Sequence, residues 1–467
     1  MRRHSRSSFL ALLTCFTALL SGCGGGGGSN GSNASGGSSA TCGEPARKQW
    51  VLNVAREWYL FPDLLPATVD LNAYATAEGL LDALTATARA QGKDRFFSYL
   101  TTQQAENSLF GDGQFIGFGF RNRIDEGNRP FILDVFQGSP AADAGLRRGD
   151  EIIAVNEGSG FVPVAQAYAN GKTLTDLLGT ADAGVSRGLR IQRGGTTVDV
   201  TLTKRTVTID PVPDDFGVQI LPLAGTTGVG YLHLRSYIST ADAQVRDAFA
   251  QFRAQNLQYY IVDLRYNGGG LVSIAEIIDN LLGGDRTTAD TQFQFVYNPA
   301  KSAQNSTTRF QPLAQSVRPV RIAFLTTDAT ASASEINVNV LRPWVEVAIV
   351  GSDTLGKPVG QLAFDLSGCS DRLRLIAFKT VNAANEGDYY NGLASTMKFA
   401  CAATDTLDVP LGNVDDSLTQ AALHWLVTGA CDAVMPANAT AAMKTQGTAV
   451  EKYTPPSPTE RWVPGAR

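Results

Sequence analysis

Apolar residues recur at helical spacing in the first part of the chain that has a globular composition. From Lys48 to Leu60, and again from Ala75 to Ala90, apolar side chains return every three or four residues. The Phe61-Pro62 pair ends the first of these runs. The pattern predicts two helices that pack against each other. We interpret residues 42–110 as a small helical N-terminal domain.

The pattern then changes to strands. Phe131–Phe136 is typical of a strand, and residues 189–202 predict a hairpin that turns at Gly194-Gly195. After about Thr208, apolar strands alternate with helical segments, which is typical of α/β layering with functional loops at the strand ends. We expect a β-rich domain over residues 111–206 and an α/β domain over residues 207–431.

The two ends of the chain have other compositions. Residues 1–22 combine three arginines with a short apolar run, which predicts a signal peptide rather than a membrane span. The run ends in Leu-Ser-Gly-Cys, which resembles a bacterial lipobox with Cys23 as the lipid-modified residue; plain secretion is the alternative. Residues 23–41 are almost wholly Gly, Ser, Asn and Ala and predict a flexible tether. Residues 432–467 show little periodicity and predict no fold.

Charge and cysteine content narrow the function classes. Lys plus Arg is 39 against 44 for Asp plus Glu, and no basic run is present, so nucleic-acid binding has no support. Four cysteines remain besides Cys23 and the one in the signal, which agrees with export, and they allow three pairings. We favour Cys369 with Cys401, which bracket an insertion-like segment, and Cys42 with Cys431, near the ends of the folded region. None has zinc-type CxxC spacing, so we expect no metal and no cofactor.

A Gly-rich run opens the β-rich domain. It alternates glycine with bulky residues: Phe115, Ile116, Gly117, Phe118, Gly119 and Phe120. Together with the later run SPAADAGLRRGDEIIAVN, it resembles a PDZ domain. In that family the backbone N–H groups of such a loop bind the terminal carboxylate of a peptide, which adds itself to the sheet as a strand. A tight strand edge without a ligand is the alternative for the Gly/Phe run taken alone.

Ser332 begins a predicted helix and has two interpretations. Ser332-Ala333-Ser334-Glu335 has the form of a capping box, with Glu335 reaching back to the helix start. The same position offers free backbone N–H groups and the positive end of a helix dipole, which suit an oxyanion beside a nucleophile. A serine needs a base, and the two histidines outside the signal lie in strand and helix patterns without a triad's surroundings. A buried lysine can act as a base, and Lys357 lies in an apolar, glycine-punctuated segment; an ordinary solvated lysine is the alternative.

These motifs together resemble the C-terminal processing (tail-specific) peptidase family. The matching residues are the run Thr330-Ala-Ser-Ala-Ser-Glu, the turn ending at Lys357, and the upstream loop Asp263–Gly270. The resemblance implies that Ser332 is the nucleophile and Lys357 its general base, assisted by Gln361. It also implies that Thr354 orients the amine, and that the oxyanion donors are the N–H of Ala333 and that of either Gly269 or Gly270. Other members use an acidic residue at the position of Pro343.

The resemblance implies a multidomain α/β fold: an N-terminal helical domain, a PDZ-like domain and an α/β catalytic core of the ClpP/crotonase type. We expect a lipid-anchored serine endopeptidase of the cell envelope, on the outer membrane and facing the periplasm, that binds the free C-termini of polypeptides. Pro358 stands where the family usually has glycine, and its fixed φ, three residues before Gln361, affects how Gln361 is held. The alternative is therefore a peptide-binding envelope lipoprotein of this fold without catalysis.

Overall fold

The computed structural model describes residues 41–431. The expected signal peptide, the lipidation candidate Cys23, nearly all of the 23–41 tether and the 432–467 tail lie outside the described residues. Across the described range, no helix is long and apolar enough to cross a membrane.

The N-terminal segment contains the two helices that the periodicity predicts, and Phe61-Pro62 follows the end of the first one. Thr76 caps the second, because its hydroxyl accepts a hydrogen bond from the Gly79 N–H. The elements are α1 (Glu44–Trp58), α2 (Ala77–Ala90), β1 (Tyr99–Thr102), α3 (Gln103–Glu106), a π-helical turn (Asn107–Gly111), and 3-10 turns at Pro62–Leu64 and Leu71–Ala73. The buried faces of the helices also pack against Leu373, Leu375 and Ile376, which lie far along the chain, so this unit shares its core with the rest of the protein.

The PDZ-like segment is a six-stranded antiparallel sheet with short helices. Its elements are β2 (Gln114–Gly117), β3 (Phe120–Ile124), β4 (Pro130–Val135), α4 (Pro140–Asp143), β5 (Glu151–Asn156), β6 (Phe161–Pro163), α5 (Val164–Ala169), α6 (Leu174–Leu178), β7 (Ser186–Arg193), β8 (Thr196–Thr203) and β9 (Arg205–Thr208). The sheet order is β3-β4-β5-β7-β8 with β6 on β5, and β2 pairs with β9 in a separate ribbon. The β7–β8 hairpin turns at Gly194-Gly195, as the sequence predicts.

The third segment contains two sheets. Its elements are β10 (Val218–Leu221), β11 (Val229–His233), α7 (Ala241–Ala254), β12 (Tyr259–Asp263), α8 (Val272–Leu282), β13 (Thr291–Tyr297), β14 (Ser306–Arg309), β15 (Arg321–Thr326), α9 (Ala333–Leu341), β16 (Glu346–Gly351), β17 (Val359–Asp365), β18 (Asp371–Asn382), β19 (Phe399–Ala402) and α10 (Ser417–Thr428), with 3-10 turns at Pro299–Gln304 and Ala394–Thr396. The main sheet has the order β10-β11-β12-β15-β16-β19, and β11 to β19 in that order are parallel. Helices α7, α8 and α9 pack in one core beside it, and α10 packs in another.

The second sheet is antiparallel and joins the segments. Its order is β1-β18-β13-β14, with β17 also paired to β18. Strand β1 comes from the N-terminal segment, so the long strand β18 connects the helical unit to the third segment. The layering of strands and helices confirms the multidomain α/β fold expected from the sequence.

The favoured disulfide pairing is wrong. The structure joins Cys42 to Cys369 and Cys401 to Cys431. Cys369 lies in the turn between β17 and β18, where the N-terminal residues pack, whereas Cys401 lies on β19 in the main sheet. The segment from 369 to 401 therefore runs from one sheet to the other and is not closed by a disulfide. Cys431, three residues after the end of α10, bonds to Cys401 on β19.

Candidate active site

Three loops meet at the carboxyl ends of adjacent parallel strands. Strand β12 leads into residues 264–270, β15 into residues 327–332, and β16 into residues 352–357. Because these three strands are neighbours in the main sheet and run in parallel, their following loops lie at one edge. The Gly-rich run, the serine cluster and the lysine turn, which lie far apart in the sequence, are thereby brought to the same place.

Ser332 is the N-cap of α9 and has a strained backbone. Its φ is 59° and its ψ is −118°, a conformation that L-residues rarely adopt, and its exposed fraction is 7%. The preceding turn is held by two bonds across loops: the Ala331 N–H donates to the Asn267 carbonyl, and the Thr330 hydroxyl donates to the Leu264 carbonyl. The predicted helix start is confirmed. Its positive φ depends on these bonds to another loop, so the local sequence carried no signal for it.

The carboxylate of Glu335 connects the serine turn to the lysine turn. One oxygen, Oε2, accepts from the N–H groups of Ser332 at 2.9 Å and Lys357 at 2.8 Å. The other, Oε1, accepts from the Gly356 N–H at 2.7 Å and from the Thr354 hydroxyl at 2.5 Å. Burial raises the pKa of the Glu335 carboxyl, and the hydrogen bonds it accepts offset this only in part. The capping box indicated the bond to Ser332, whereas the three bonds to the lysine turn had no signal in the sequence.

Lys357 is buried, with 6% of its surface exposed. Its Nζ donates to Gln361 Oε1 at 3.1 Å and lies 5.1 Å from the centre of the Phe97 ring. Gln361 Nε2 in turn donates to the Phe97 carbonyl at 2.6 Å, which holds the amide in place. The structure therefore shows a buried lysine rather than a solvated one, and Pro358 does not prevent the contact between Gln361 and the amine.

Thr354 makes other contacts than those expected. Its hydroxyl donates to Glu335 and accepts from the Leu393 N–H at 3.0 Å, and it does not bond the Lys357 amine. It therefore orients the turn that carries Lys357 and not the amine itself. The histidines lie on other elements than these three loops: His233 lies on β11 against Asp263, and His424 lies on α10. Burial lowers the pKa of the His233 imidazole.

The glycine loop passes directly beside Ser332. A Cβ on Gly269 would lie 2.9 Å from Ser332 Cβ and 2.8 Å from the Ala333 nitrogen, and φ is 96°, so the position requires glycine. The Gly269 N–H donates to Asn267 Oδ1 at 2.9 Å. Within residues 41–431, no hydrogen bond from the Gly270 N–H is present, and Ala333 is the first residue of α9, whose N–H has no acceptor within the helix.

A cavity of about 100 Å³ opens at this point. Ser332 and Gln361 both line it, although within the described range no hydrogen bond joins the Ser332 hydroxyl to the Lys357 amine. The other lining residues are Phe110, Gly270, Leu271, Val272, Gly360, Arg374 and Phe378. The arrangement thus combines a hydroxyl, a nearby amine held by an amide, and free N–H groups in a small, mainly apolar space. Among the described residues, no cluster of side chains could hold a metal ion.

The phenylalanine rings of the Gly-rich run in the PDZ-like segment are buried, so a ligand could contact mainly the backbone of this run. Phe115, Phe118 and Phe120 are buried, and Ile116 is 38% exposed. Gly119 has a φ of 86°, and a Cβ there would lie 2.1 Å from Ser139 Cβ, so the loop requires glycine. The strand that follows, β3, pairs with β4 on one side only and is the edge of its sheet. Gly117 ends β2, which pairs with β9.

The fold and the site define a multidomain α/β protein in which a PDZ domain adjoins a serine at the end of a parallel strand. Comparison with family models gives the family. Residues 228–391 match peptidase family S41, residues 46–99 match the peptidase S41 N-terminal domain, and residues 108–167 match the PDZ domain. The chain thus carries the N-terminal, PDZ and peptidase domains of peptidase family S41.

Sequence relatives agree with these matches, and a solved structure shares the fold. The chain is 30% identical, over 55% of its length and 56% of the relative's, to a carboxyl-terminal-processing protease of Synechocystis. It is 27% identical to the chloroplastic carboxyl-terminal-processing peptidase 3 of Arabidopsis thaliana, over 67% of this chain and 59% of that protein. The chain thus spans a little over half the length of these relatives. A crystal structure of an S41 protein from Bacteroides fragilis shares the fold, with a TM-score of 0.60, 23% identity, and coverage of 82% of this chain and 98% of that one.

We expect Glu335→Gln to loosen the site. A glutamine side chain has one acceptor oxygen where the carboxylate has two. One of the two pairs of buried donors that now bond Glu335 therefore loses its acceptor, which destabilises the site by about 3 kcal/mol. Hydrogen–deuterium exchange in residues 327–337 and 352–358 should rise by about 100-fold relative to the wild type.

The control is Glu126→Gln, which changes an exposed glutamate in the β3–β4 turn. Exchange in both segments should remain at the wild-type rate in this variant. Equal protection of the two segments in wild type and Glu335→Gln would show that the carboxylate does not hold the turns together.

Proposed function

We propose that the protein is a serine endopeptidase that cleaves polypeptides near their C-termini through an acyl-enzyme. The observation that carries the proposal is the shared cavity of Ser332 and Gln361, with the amine of Lys357 bonded to that glutamine. A nucleophilic oxygen and a base placed on separate loops are what acyl transfer by serine requires. The mechanism needs no metal or cofactor.

In the proposed reaction, Ser332 Oγ attacks the scissile carbonyl carbon while the uncharged Lys357 amine takes the hydroxyl proton. The resulting ammonium then gives this proton to the leaving amine, and the C–N bond breaks. Water, deprotonated by the same amine, then attacks the ester carbonyl carbon, the C–O bond to Ser332 breaks, and the ammonium returns the proton to Ser332 Oγ. Gln361 holds the amine, and the hydroxyl and amine come into hydrogen-bond contact when substrate is bound, since such contacts are often long in free enzymes.

The oxyanion would be stabilised by the N–H groups of Ala333 and Gly270. Between the two glycines considered from the sequence, the choice of Gly270 is supported by the occupied N–H of Gly269, which donates to Asn267. Gly270 also lines the cavity together with Ser332. The position of Ala333 at the N-terminus of α9 adds the positive end of the helix dipole.

The PDZ domain would bind the free C-terminus of the substrate. Its Gly-rich loop from Phe115 to Phe120 and the adjacent edge strand β3 supply the backbone groups that such binding uses. A peptide-binding lipoprotein without catalysis was made conceivable by Pro358, but the contact between Gln361 and Lys357 beside that proline favours the enzyme.

The cellular location proposed is the envelope, with the chain lipid-anchored at Cys23 to the outer membrane and facing the periplasm. Support comes from the apolar signal-like run, the Leu-Ser-Gly-Cys sequence and the Gly/Ser-rich stretch that follows. The two disulfides agree with an oxidising compartment.

Substitution of the proposed dyad should abolish cleavage. With an unfolded protein that ends in apolar residues as substrate, we expect kcat/KM to fall by more than about 1,000-fold in Ser332→Ala and in Lys357→Met. Lys398→Met, which changes an exposed lysine, should match the wild type. Cleavage by Ser332→Ala at the wild-type rate would refute the nucleophile, and cleavage by Lys357→Met at that rate would refute the base.

Blocking the substrate's C-terminus should weaken capture. A substrate with an amidated C-terminus cannot offer a carboxylate to the Gly-rich loop, so we expect its KM to be at least about tenfold higher with kcat little changed. Equal KM values for the free and amidated substrates would contradict capture by the PDZ domain.

Lipid attachment should depend on Cys23. In a Gram-negative host, the full chain should incorporate labelled fatty acid and sediment with membranes. Cys23→Ser should lose the label and appear in the periplasmic soluble fraction. A full chain that is unlabelled and soluble would show plain secretion instead.

A further inference from the structure

The cavity beside Ser332 has a third polar wall residue that the proposed mechanism does not use. The polar side chains lining it are Ser332, Gln361 and Arg374. Each end of the Gln361 amide has a partner that fixes its orientation, since Oε1 accepts from Lys357 and Nε2 donates to the Phe97 carbonyl. Ser332 and Gln361 have roles in the proposed reaction, whereas Arg374 is the polar wall residue without one.

Arg374 is held in one orientation by Glu106. Its Nε donates to Oε1 of Glu106 at 2.8 Å and its Nη2 to Oε2 at 2.7 Å, which is the paired geometry of an arginine–carboxylate contact. Glu106 is 3% exposed and also accepts from the Tyr99 hydroxyl and from Arg372. In the described part of the chain, Nη1 of Arg374 makes no hydrogen bond. The bonds to Glu106 thus fix the orientation of the guanidinium and leave its Nη1 group available as a hydrogen-bond donor.

The charge around Arg374 is balanced. A second cavity of about 340 Å³ shares Phe110 and Arg374 with the first, and its charged lining is Glu106, Asp112, Arg372 and Arg374. Two cations against two carboxylates leave no net positive charge to attract an acidic group. The feature that Arg374 offers to a ligand is an N–H donor in the wall of a cavity whose apolar lining is Phe110, Leu271, Val272 and Phe378.

We propose that Arg374 is a specificity-determining residue, which selects at the residue carrying the scissile carbonyl a side chain with an apolar stem and a neutral carbonyl oxygen, as in glutamine. This inference rests on the proposed function, because it takes the carbonyl attacked by Ser332 as its reference point. With that carbonyl oxygen at Gly270, the same residue's side chain is the nearest substrate group that can enter the cavity. Its oxygen then accepts from Arg374 Nη1, while its methylene groups contact the apolar wall.

The test compares two peptides that differ only at that residue, with glutamine or with methionine, which has a similar length but a much weaker acceptor. For the wild type we expect kcat/KM to be about tenfold higher with glutamine, because a hydrogen bond to a charged group contributes on the order of 1.5 kcal/mol or more. Arg374→Met should bring this ratio to about one, mainly by raising KM for the glutamine peptide. In Arg374→Lys, a smaller preference for glutamine should remain.

Arg374→Met leaves the buried Glu106 with fewer partners, so Glu106→Gln/Arg374→Met is the second variant. It removes the charge pair as a unit and should show the same loss of preference. Arg246→Met, which removes an arginine paired with Asp242 on the surface of α7, is the control and should retain the wild-type ratio. A wild-type ratio of one overturns the proposal, and so does an unchanged ratio in both Arg374→Met and Glu106→Gln/Arg374→Met.

Binding separates this inference from the proposed function. The Ser332→Ala variant should bind the glutamine peptide more tightly than the methionine peptide. This result is expected whether or not the wild type cleaves either peptide. A preference in binding that disappears in Ser332→Ala/Arg374→Met supports the role of Arg374 even if the reaction proves to be different. Cleavage dependent on Ser332 but with equal affinities for the two peptides overturns the role of Arg374 alone.

Discussion

The arrangement of the site depends on one buried carboxylate. Glu335 accepts four hydrogen bonds, from the serine turn and from the turn that carries Lys357. The two turns follow different strands, β15 and β16, and the strands alone set their spacing only roughly. Because an unpaired buried N–H costs free energy, the donors of both turns stabilise the one position in which Glu335 satisfies them all. The strained φ of Ser332 is maintained by the bond of its N–H to Glu335 together with the bonds of Thr330 and Ala331 to the loop after β12.

A second network of buried charges joins the PDZ domain to this region. Arg235, which follows β11, makes two hydrogen bonds of 2.8 Å to Asp134 of the PDZ domain. Burial alone would raise the pKa of Asp134, but Arg235 and Arg121 lower it below its ordinary value. Stability from this pair is therefore present above the carboxyl's ordinary pKa and is lost as pH falls through its lowered value in the folded protein. The interface is thus held by ionic groups that low pH would weaken.

Arg148 extends this connection to the glycine loop. It bonds Asp405 at 2.7 Å and the hydroxyl of Tyr266 at 2.9 Å, and Tyr266 immediately precedes the Asn267–Gly270 run. Tyr266 has a φ of 61°, and its N–H donates to Thr327 at the end of β15. The loop that contributes Gly270 to the cavity is therefore held on one side by the PDZ domain and on the other by the serine loop. The PDZ domain, the glycine loop and the serine loop thus together fix the position of Gly270 in the cavity wall.

The local sequence pattern was sufficient to predict many of the secondary-structure elements. The helices around Leu52 and Leu81, the β7–β8 hairpin, the alternation of strands and helices, and the helix start at Ser332 follow from side-chain periodicity and turn chemistry, which act over a few residues. The burial of Lys357 was indicated by its apolar surroundings in the sequence. What depended on contacts between distant segments was decided by the tertiary structure: the disulfide partners, the bonds of Thr354 to Glu335 instead of the amine, the occupied N–H of Gly269, and the place of Arg374 beside Ser332. Pattern specifies which face of an element is buried, whereas the packing of three loops and a second sheet determines which buried polar groups find each other.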